Sequence, residues 1–245
     1  MRLIFEMSLI YLYITITEYH MINWDGTISL LLACTEFILL INLFVFAEKN
    51  KINKIAMLLI SLLAIYQLLE FLMCTLNLKY SYMAYFAFVT ISFMPPLNFI
   101  FVFKHFHREM KWHKLVFLPA VFFAVYYFFV IEKFAVTACS ALYASYSYPL
   151  GTLFGLFYYL PLLISIVFLI FKINKTGDKR TVKQIKVILY GQIFISIPVI
   201  IAFILLFFNN YFLLKIVESI MCKFAFVYAV CLAYFVLNNR KVEDE

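Results

Sequence analysis

Seven long apolar stretches follow one another along this chain and constrain what it can fold into. They lie at 28–47, 54–77, 80–103, 114–133, 150–172, 185–208 and 211–237. Each has at least about the 20 residues that an α-helix needs to cross the hydrocarbon core of a bilayer. Because lipid offers no hydrogen bonds to an open backbone, such segments form helices. The sequence therefore predicts an all-α, polytopic membrane protein with a seven-transmembrane-helix bundle.

The composition leaves no room for a soluble domain of ordinary size beside this bundle. Hydrophobic residues make up 66% of the 245 residues and charged residues only 13%, against about 45–50% and 25% in soluble domains. The net charge of +7 comes mainly from lysines and arginines in short connections, a pattern that orients membrane helices. We therefore expect the lipid bilayer, and not nucleic acid, as a partner of one membrane domain over residues 28–238.

The two ends of the chain lie outside this predicted domain. Residues 1–27 are expected to form an N-terminal interfacial helix, rich in tyrosine over 1–19, followed by a polar outer loop. An additional spanning helix over 1–19 is the alternative. Residues 239–245 are predicted to be a cytoplasmic tail.

The basic residues predict the orientation of the bundle in a cell membrane. Most lysines and arginines fall in or beside three connections, at 48–53, 104–113 and 173–184, whereas the opposite connections hold few. Basic loops stay in the cytoplasm. We therefore expect the N-terminus outside and the C-terminus in the cytoplasm.

Charged side chains inside the apolar segments are the candidates for function, because such residues are rare in lipid and usually face the bundle interior. Three glutamates are expected at similar depth, roughly 10 Å below the outer interface at 1.5 Å per residue. Ser29 shares a helical face with Glu36, the first of these glutamates. The predicted polar network comprises Glu36, Gln67, Glu70, Glu218, Ser219 and Lys223. A ligand-binding site and a structural salt-bridge network are both open interpretations.

The remaining polar side chains suggest no catalytic centre. All four histidines lie outside the helices expected to form the bundle, and no serine or cysteine has an evident neighbouring base. His105 and His107 with His113 offer a surface metal site as the alternative to ordinary interfacial residues. We therefore expect no enzyme activity, no cofactor and no metal.

Two cysteines are expected at the outer face of the bundle. Cys74 lies near the outer end of the second segment, and Cys139 lies in the outer loop 134–149. Both would face an oxidising compartment, where a disulfide is stable, and the bond requires Cα atoms within about 7 Å. A disulfide that ties the loop over the mouth of the bundle and two free thiols are both open.

Two stretches resemble a known family, the seven-helix membrane sensor region found N-terminal to some bacterial histidine kinases and diguanylate cyclases. The stretch 181–201 is similar to its penultimate helix, with a basic-glutamine entry, an L-x-G step and a proline. The matching residues are Lys183, Gln184, Leu189, Gly191 and Pro198. The stretch 50–70 is similar to its second helix. Since no kinase or cyclase follows, the resemblance implies a sensor region that signals through a separate partner.

Three functions are compatible with these features. The leading expectation is a receptor-like or sensory membrane protein with an outward-facing polar pocket. The second is a small transporter or ion-coupled carrier that uses the intramembrane charges. The third is a non-catalytic accessory subunit of a membrane complex. Substrate flux in liposomes would favour the second.

Overall fold

Long apolar helices dominate the computed structural model, which describes residues 25–105, 113–208 and 216–239. In chain order they are α1 (Thr27–Phe46), α2 (Lys51–Thr75), α3 (Ser81–Ser92), α4 (Met94–His105), α5 (Leu118–Phe129), α6 (Gly151–Ile173), α7 (Lys179–Phe207) and α8 (Val217–Asn238). Helices α3 and α4 meet at Phe93 and form one apolar span, Ser81–His105. The described residues thus contain six helical spans long and apolar enough to cross a membrane.

The fourth predicted segment, 114–133, differs from the expectation. It begins with a 3₁₀ turn, His113–Phe117, and continues as α5, which has 12 residues. A second 3₁₀ turn, Ile131–Lys133, ends it. Pro119 lies in the first turn of α5, where its missing N–H costs no helical hydrogen bond. Within the described residues there are therefore six full-length spans and one shorter apolar helix, where the sequence predicted seven long ones.

Parts of the sequence predictions fall on residues that the structure does not describe. The interfacial helix expected over 1–19 and the tail residues 240–245 lie outside the described ranges. The seventh predicted segment starts at 211, whereas the described part of that helix, α8, begins at Val217.

The first helix distributes its side chains in the opposite way to a helix on the surface of a soluble protein. Its buried residues are Ser29, Ala33, Glu36 and Leu43. Its large apolar side chains point away from the bundle, and Ile41 and Phe44 are 65% and 68% exposed. Polar and small residues face the interior where helices pack in lipid, whereas apolar residues face the acyl chains. This distribution is typical of a membrane helix.

A short antiparallel hairpin covers one end of the bundle. Its strands are β1 (Ala135–Cys139) and β2 (Ala144–Ser147), with Ala135 opposite Ser147. The hydroxyl of Ser140 accepts hydrogen bonds in the turn from the N–H groups of Leu142 and Tyr143, at 3.3 and 3.1 Å. The sequence predicted a loop here, because neither strand has a clear alternation of apolar and polar residues.

The hairpin is fastened to two helices. Cys139 of β1 and Cys74 of α2 form a disulfide with their Cα atoms 5.5 Å apart, one of the two arrangements that the sequence left open. The N–H of Gly26 donates to the carbonyl of Ser140 at 3.0 Å. Gly26 has φ of 73°, a left-handed conformation that glycine adopts without strain. The beginning of α1, the end of α2 and the hairpin therefore lie at the same end of the molecule.

At the end of the bundle away from the hairpin, the beginning of α2 contacts the end of α8. The side-chain amide of Asn239 donates to Asn53 at 2.9 Å. Arg180, at the beginning of α7, donates to the carbonyl of Asn238 at 2.8 Å. The connections that precede α2 and α7, both expected in the cytoplasm, therefore lie together, away from the hairpin.

Helices α7 and α8 approach closely at Gly191. A Cβ atom at this position would lie 2.6 Å from Cδ2 of Tyr228 and 3.2 Å from Cβ of Cys231. Only a residue without a side chain allows this approach, and the ring of Tyr228 is itself buried. Gly191, which belongs to the L-x-G step of the sequence, thus has a packing role.

We predict that Gly191→Ala destabilises the protein by roughly 1–3 kcal/mol, the usual cost of overpacking. Thermal unfolding in detergent measures this as a lower Tm. Gly155→Ala in α6 is the matched control, because a Cβ there meets no heavy atom within 4 Å. Alanine at Gly155 should be neutral or stabilising by up to about 1 kcal/mol. Equal melting of the two variants would contradict the close approach at Gly191.

Candidate functional site

A buried salt bridge joins α8 to α2. The Nζ atom of Lys223 lies 2.6 Å from Oε1 of Glu70, and the two side chains are 7% and 1% exposed. Each helix places its charge on the face that meets the other helix, so neither charge reaches lipid. A buried charge is tolerated when it is paired and its remaining hydrogen-bonding groups are also satisfied. The surroundings of this pair meet that condition.

The ammonium group of Lys223 uses all three of its N–H donors. Besides Glu70, it donates to Oγ of Ser29 and to Oε1 of Gln67, each at 2.9 Å. Ser29 in turn donates to Oε1 of Glu70 at 3.0 Å, and Gln67 donates to the backbone carbonyl of Cys222 at 2.8 Å. Three helices, α1, α2 and α8, thus meet at one lysine.

Ser219 connects this network to the hairpin. Its hydroxyl lies 3.0 Å from both carboxylate oxygens of Glu70 and donates to them. The same hydroxyl accepts from the backbone N–H of Ala144 in β2, also at 3.0 Å. A second contact links the same elements, since the hydroxyls of Tyr66 and Tyr146 lie 3.4 Å apart. The position of the hairpin is therefore coupled to the charged pair.

Glu36 is buried but remains apart from this network. Its side chain is fully buried, and neither carboxyl oxygen has a hydrogen-bond partner. Ser29, which contacts Glu70, precedes it by seven residues on α1, so Glu36 lies about 10 Å further along the helix. The expectation that Glu36 shares the level of Glu70 is therefore wrong.

The structure brings together four of the six predicted network residues, namely Gln67, Glu70, Ser219 and Lys223. Glu218 lies in the first turn of α8, and its side chain is outside the described part of the chain. The contacts from Ala144 and Tyr146 were not predicted, because a loop was expected at these positions. The proposed histidine metal site also lies largely outside the described residues. Among those described, no group of three His, Cys, Asp or Glu residues is arranged to hold a metal ion.

A cavity of about 470 Å³ lies beside the network at the hairpin end. Tyr146 and Tyr148 of the hairpin segment line it on one side, and residues of α6 and α7, among them Tyr158 and Ala202, line it on others. Helix α8 contributes Val217 and Met221, which lie two residues before and after Ser219. The lining is mostly apolar and aromatic, with a few hydroxyl groups. Such a site suits a small molecule with a large apolar part.

Comparison of the chain with protein-family models, curated proteins and solved structures finds no significant match. The resemblance to the seven-helix sensor regions of kinases and cyclases thus remains a prediction based on the matching residues.

We predict that Glu70→Gln destabilises the protein by about 3–5 kcal/mol, because it leaves the ammonium of Lys223 without a counter-charge in the interior. Replacing both partners, Glu70→Leu with Lys223→Leu, should recover most of this loss. Melting in detergent compares the variants. Glu132→Gln, at an exposed acid, is the control and should melt like the wild type. If Glu70→Gln also melted like the wild type, the pair would not be buried as described.

Proposed function

We propose that the chain is a receptor-like integral membrane protein that binds a small amphipathic molecule in the 470 Å³ cavity and signals through a separate partner. The observation that carries this proposal is the hairpin, which lines the cavity and is hydrogen-bonded to Ser219, a partner of Glu70 in the buried charged pair. One element thus connects a ligand-sized space to a network that holds three helices together.

Seven crossings of the membrane are the arrangement that we propose for the bundle. In the part of the chain that the structure describes, six helical spans have full length. The 3₁₀ turn His113–Phe117 and α5 together extend about 28 Å at 2.0 and 1.5 Å per residue, close to the roughly 30 Å hydrocarbon core. Counting this segment as a crossing keeps the basic connections on the cytoplasmic side and the hairpin outside. The cavity would then open toward the outer face.

The signalling step that we propose is a shift between two arrangements of α1, α2 and α8. Tyr146 lines the cavity, and its hydroxyl also contacts Tyr66 of α2. A ligand that displaces Tyr146 would move β2, and Ala144 of that strand is bonded to Ser219. A ligand changes such an equilibrium only by binding one arrangement more tightly than the other. The resemblance to sensor regions supports this mode of action and the separate partner.

We predict that filling the cavity removes the bound molecule without unfolding the protein. Ala202→Phe places a ring in the cavity wall, whereas Ile204→Phe, on the same helix but 52% exposed, is the matched control. Small molecules extracted from the purified proteins are compared by mass spectrometry. We expect a compound enriched in the wild type and in Ile204→Phe and at least tenfold depleted in Ala202→Phe. Identical extracts from all three proteins would count against a binding function.

An ion-coupled carrier is the second candidate function, and the fully buried, unpartnered carboxyl of Glu36 favours it. A carboxylate at that position has no hydrogen bond to compensate it, so a proton or a cation is its natural ligand. Purified protein in liposomes distinguishes the two functions. A receptor leaves an imposed proton gradient intact, whereas a carrier dissipates it in a manner that Glu36→Gln abolishes.

We predict that the hairpin faces the outside and that the beginning of α7 faces the cytoplasm. Single cysteines at Leu142 and Lys179, both exposed, are introduced after Cys34, Cys222 and Cys231 have been replaced by alanine. A membrane-impermeant maleimide should label Leu142→Cys in intact cells and Lys179→Cys only after permeabilisation. The reverse pattern would show that the proposed orientation is inverted.

A further inference from the structure

A second buried polar cluster lies away from the charged pair, where α4, α7 and α8 meet. The side-chain amide of Gln192 donates to Oδ1 of Asn98 at 2.9 Å and lies 3.4 Å from the hydroxyl of Tyr228. The hydroxyl of Tyr228 also donates to Oδ1 of Asn98. All three side chains are buried. None of these residues belongs to the network around Lys223.

The cluster is incomplete as a set of hydrogen bonds. Nδ2 of Asn98 and Oε1 of Gln192 are buried and have no partner. The amide nitrogen of one side chain bonds the amide oxygen of the other. If both amide groups were rotated by 180°, one N–H donor and one oxygen acceptor would still remain without a partner. A hydroxyl group is chemically suited to either atom, because it can accept one hydrogen bond and donate another. No charged side chain belongs to the cluster, so a carboxylate or an ammonium group would be uncompensated there.

The cluster adjoins a small space next to the large cavity. Asn98 and Tyr228 line a second cavity of about 40 Å³, whose other walls are almost entirely apolar. That space is of the order of one water molecule or one hydroxyl group with its carbon. Tyr158 and Met221 line both cavities, so the two spaces are neighbours at these two side chains. The unbranched side chain of Met221 adapts readily to a neighbour.

We propose that the molecule bound by this protein is an elongated neutral alcohol. Its apolar body occupies the large cavity, and its hydroxyl passes Tyr158 and Met221 to accept a hydrogen bond from Nδ2 of Asn98, which lines the small cavity. This inference rests on the proposed ligand-binding function and specifies the chemical class of the ligand. The polar cluster selects the hydroxyl against an acid, an amine or a plain hydrocarbon of equal length.

The test uses three probes of equal chain length, 1-decanol, decane and decanoate, with the purified full chain in detergent. Apparent affinity is taken from the rise in Tm with probe concentration. We expect 1-decanol to bind the wild type about tenfold more tightly than decane or decanoate, roughly the effect of one well-formed hydrogen bond. The variant Asn98→Leu with Gln192→Leu and Tyr228→Phe removes all three polar groups together. It should bind 1-decanol and decane equally.

Each other outcome has a distinct meaning. If the wild type binds decane and 1-decanol equally, the cluster holds a buried water only and the inference fails, while the binding function stands. If decanoate binds best, the ligand class is wrong. If no probe binds and Ala202→Phe leaves the extracted compounds unchanged, the proposed function fails together with the inference. The comparison of the three probes on the wild type tests the proposed ligand class even if the triple variant does not fold.

Discussion

The ion pair between Lys223 and Glu70 is the interaction on which the polar organisation of the bundle depends. An ammonium group in the interior is tolerated only if every N–H has an acceptor, and here the acceptors come from α1 and α2. The carboxylate of Glu70 in turn accepts hydrogen bonds from the hydroxyls of Ser29 and Ser219. Once these requirements are met, the relative positions of three helices are fixed within a hydrogen-bond length. The apolar side chains around them add packing but do not determine this register.

The need of buried polar groups for hydrogen-bond partners also explains where the hairpin lies. A strand pair of this size is not stable alone in water, and its edges offer unpaired backbone groups. The disulfide to α2, the backbone bond to Gly26 and the bond from Ala144 to Ser219 supply three separate attachments. With the hairpin held in this way, the space beneath Tyr146 and Tyr148 is bounded on that side. The large cavity is therefore a consequence of how the hairpin is attached.

The sequence predicted the helices well, because twenty apolar residues in lipid have few alternatives to a helix. It also predicted that Gln67, Glu70, Ser219 and Lys223 come together, since residues three or four apart on a helix share a face. Depth was harder to predict. Glu36 was assigned to the level of Glu70 from assumed helix ends, whereas the contact between Ser29 and Glu70 sets the true register. Strand pairing in the hairpin, and the meeting of Asn98 with Gln192, depend on tertiary contacts that no local pattern contains.

The long distance in sequence between Lys223 and its partner on α1 has a consequence for biosynthesis. Ser29 contacts Lys223 of α8, which lies 194 residues later in the chain. At about 5–20 residues per second, the polar face of α1 waits roughly 10–40 seconds for Lys223 to be synthesised. During that interval Ser29 and Glu36 must be shielded by α2, by water at the membrane surface or by the insertion machinery. The polar contacts of α1 and α2 are therefore completed only when α8 has been made, and a ribosome that stops before Lys223 leaves Ser29, Gln67 and Glu70 without their shared cation.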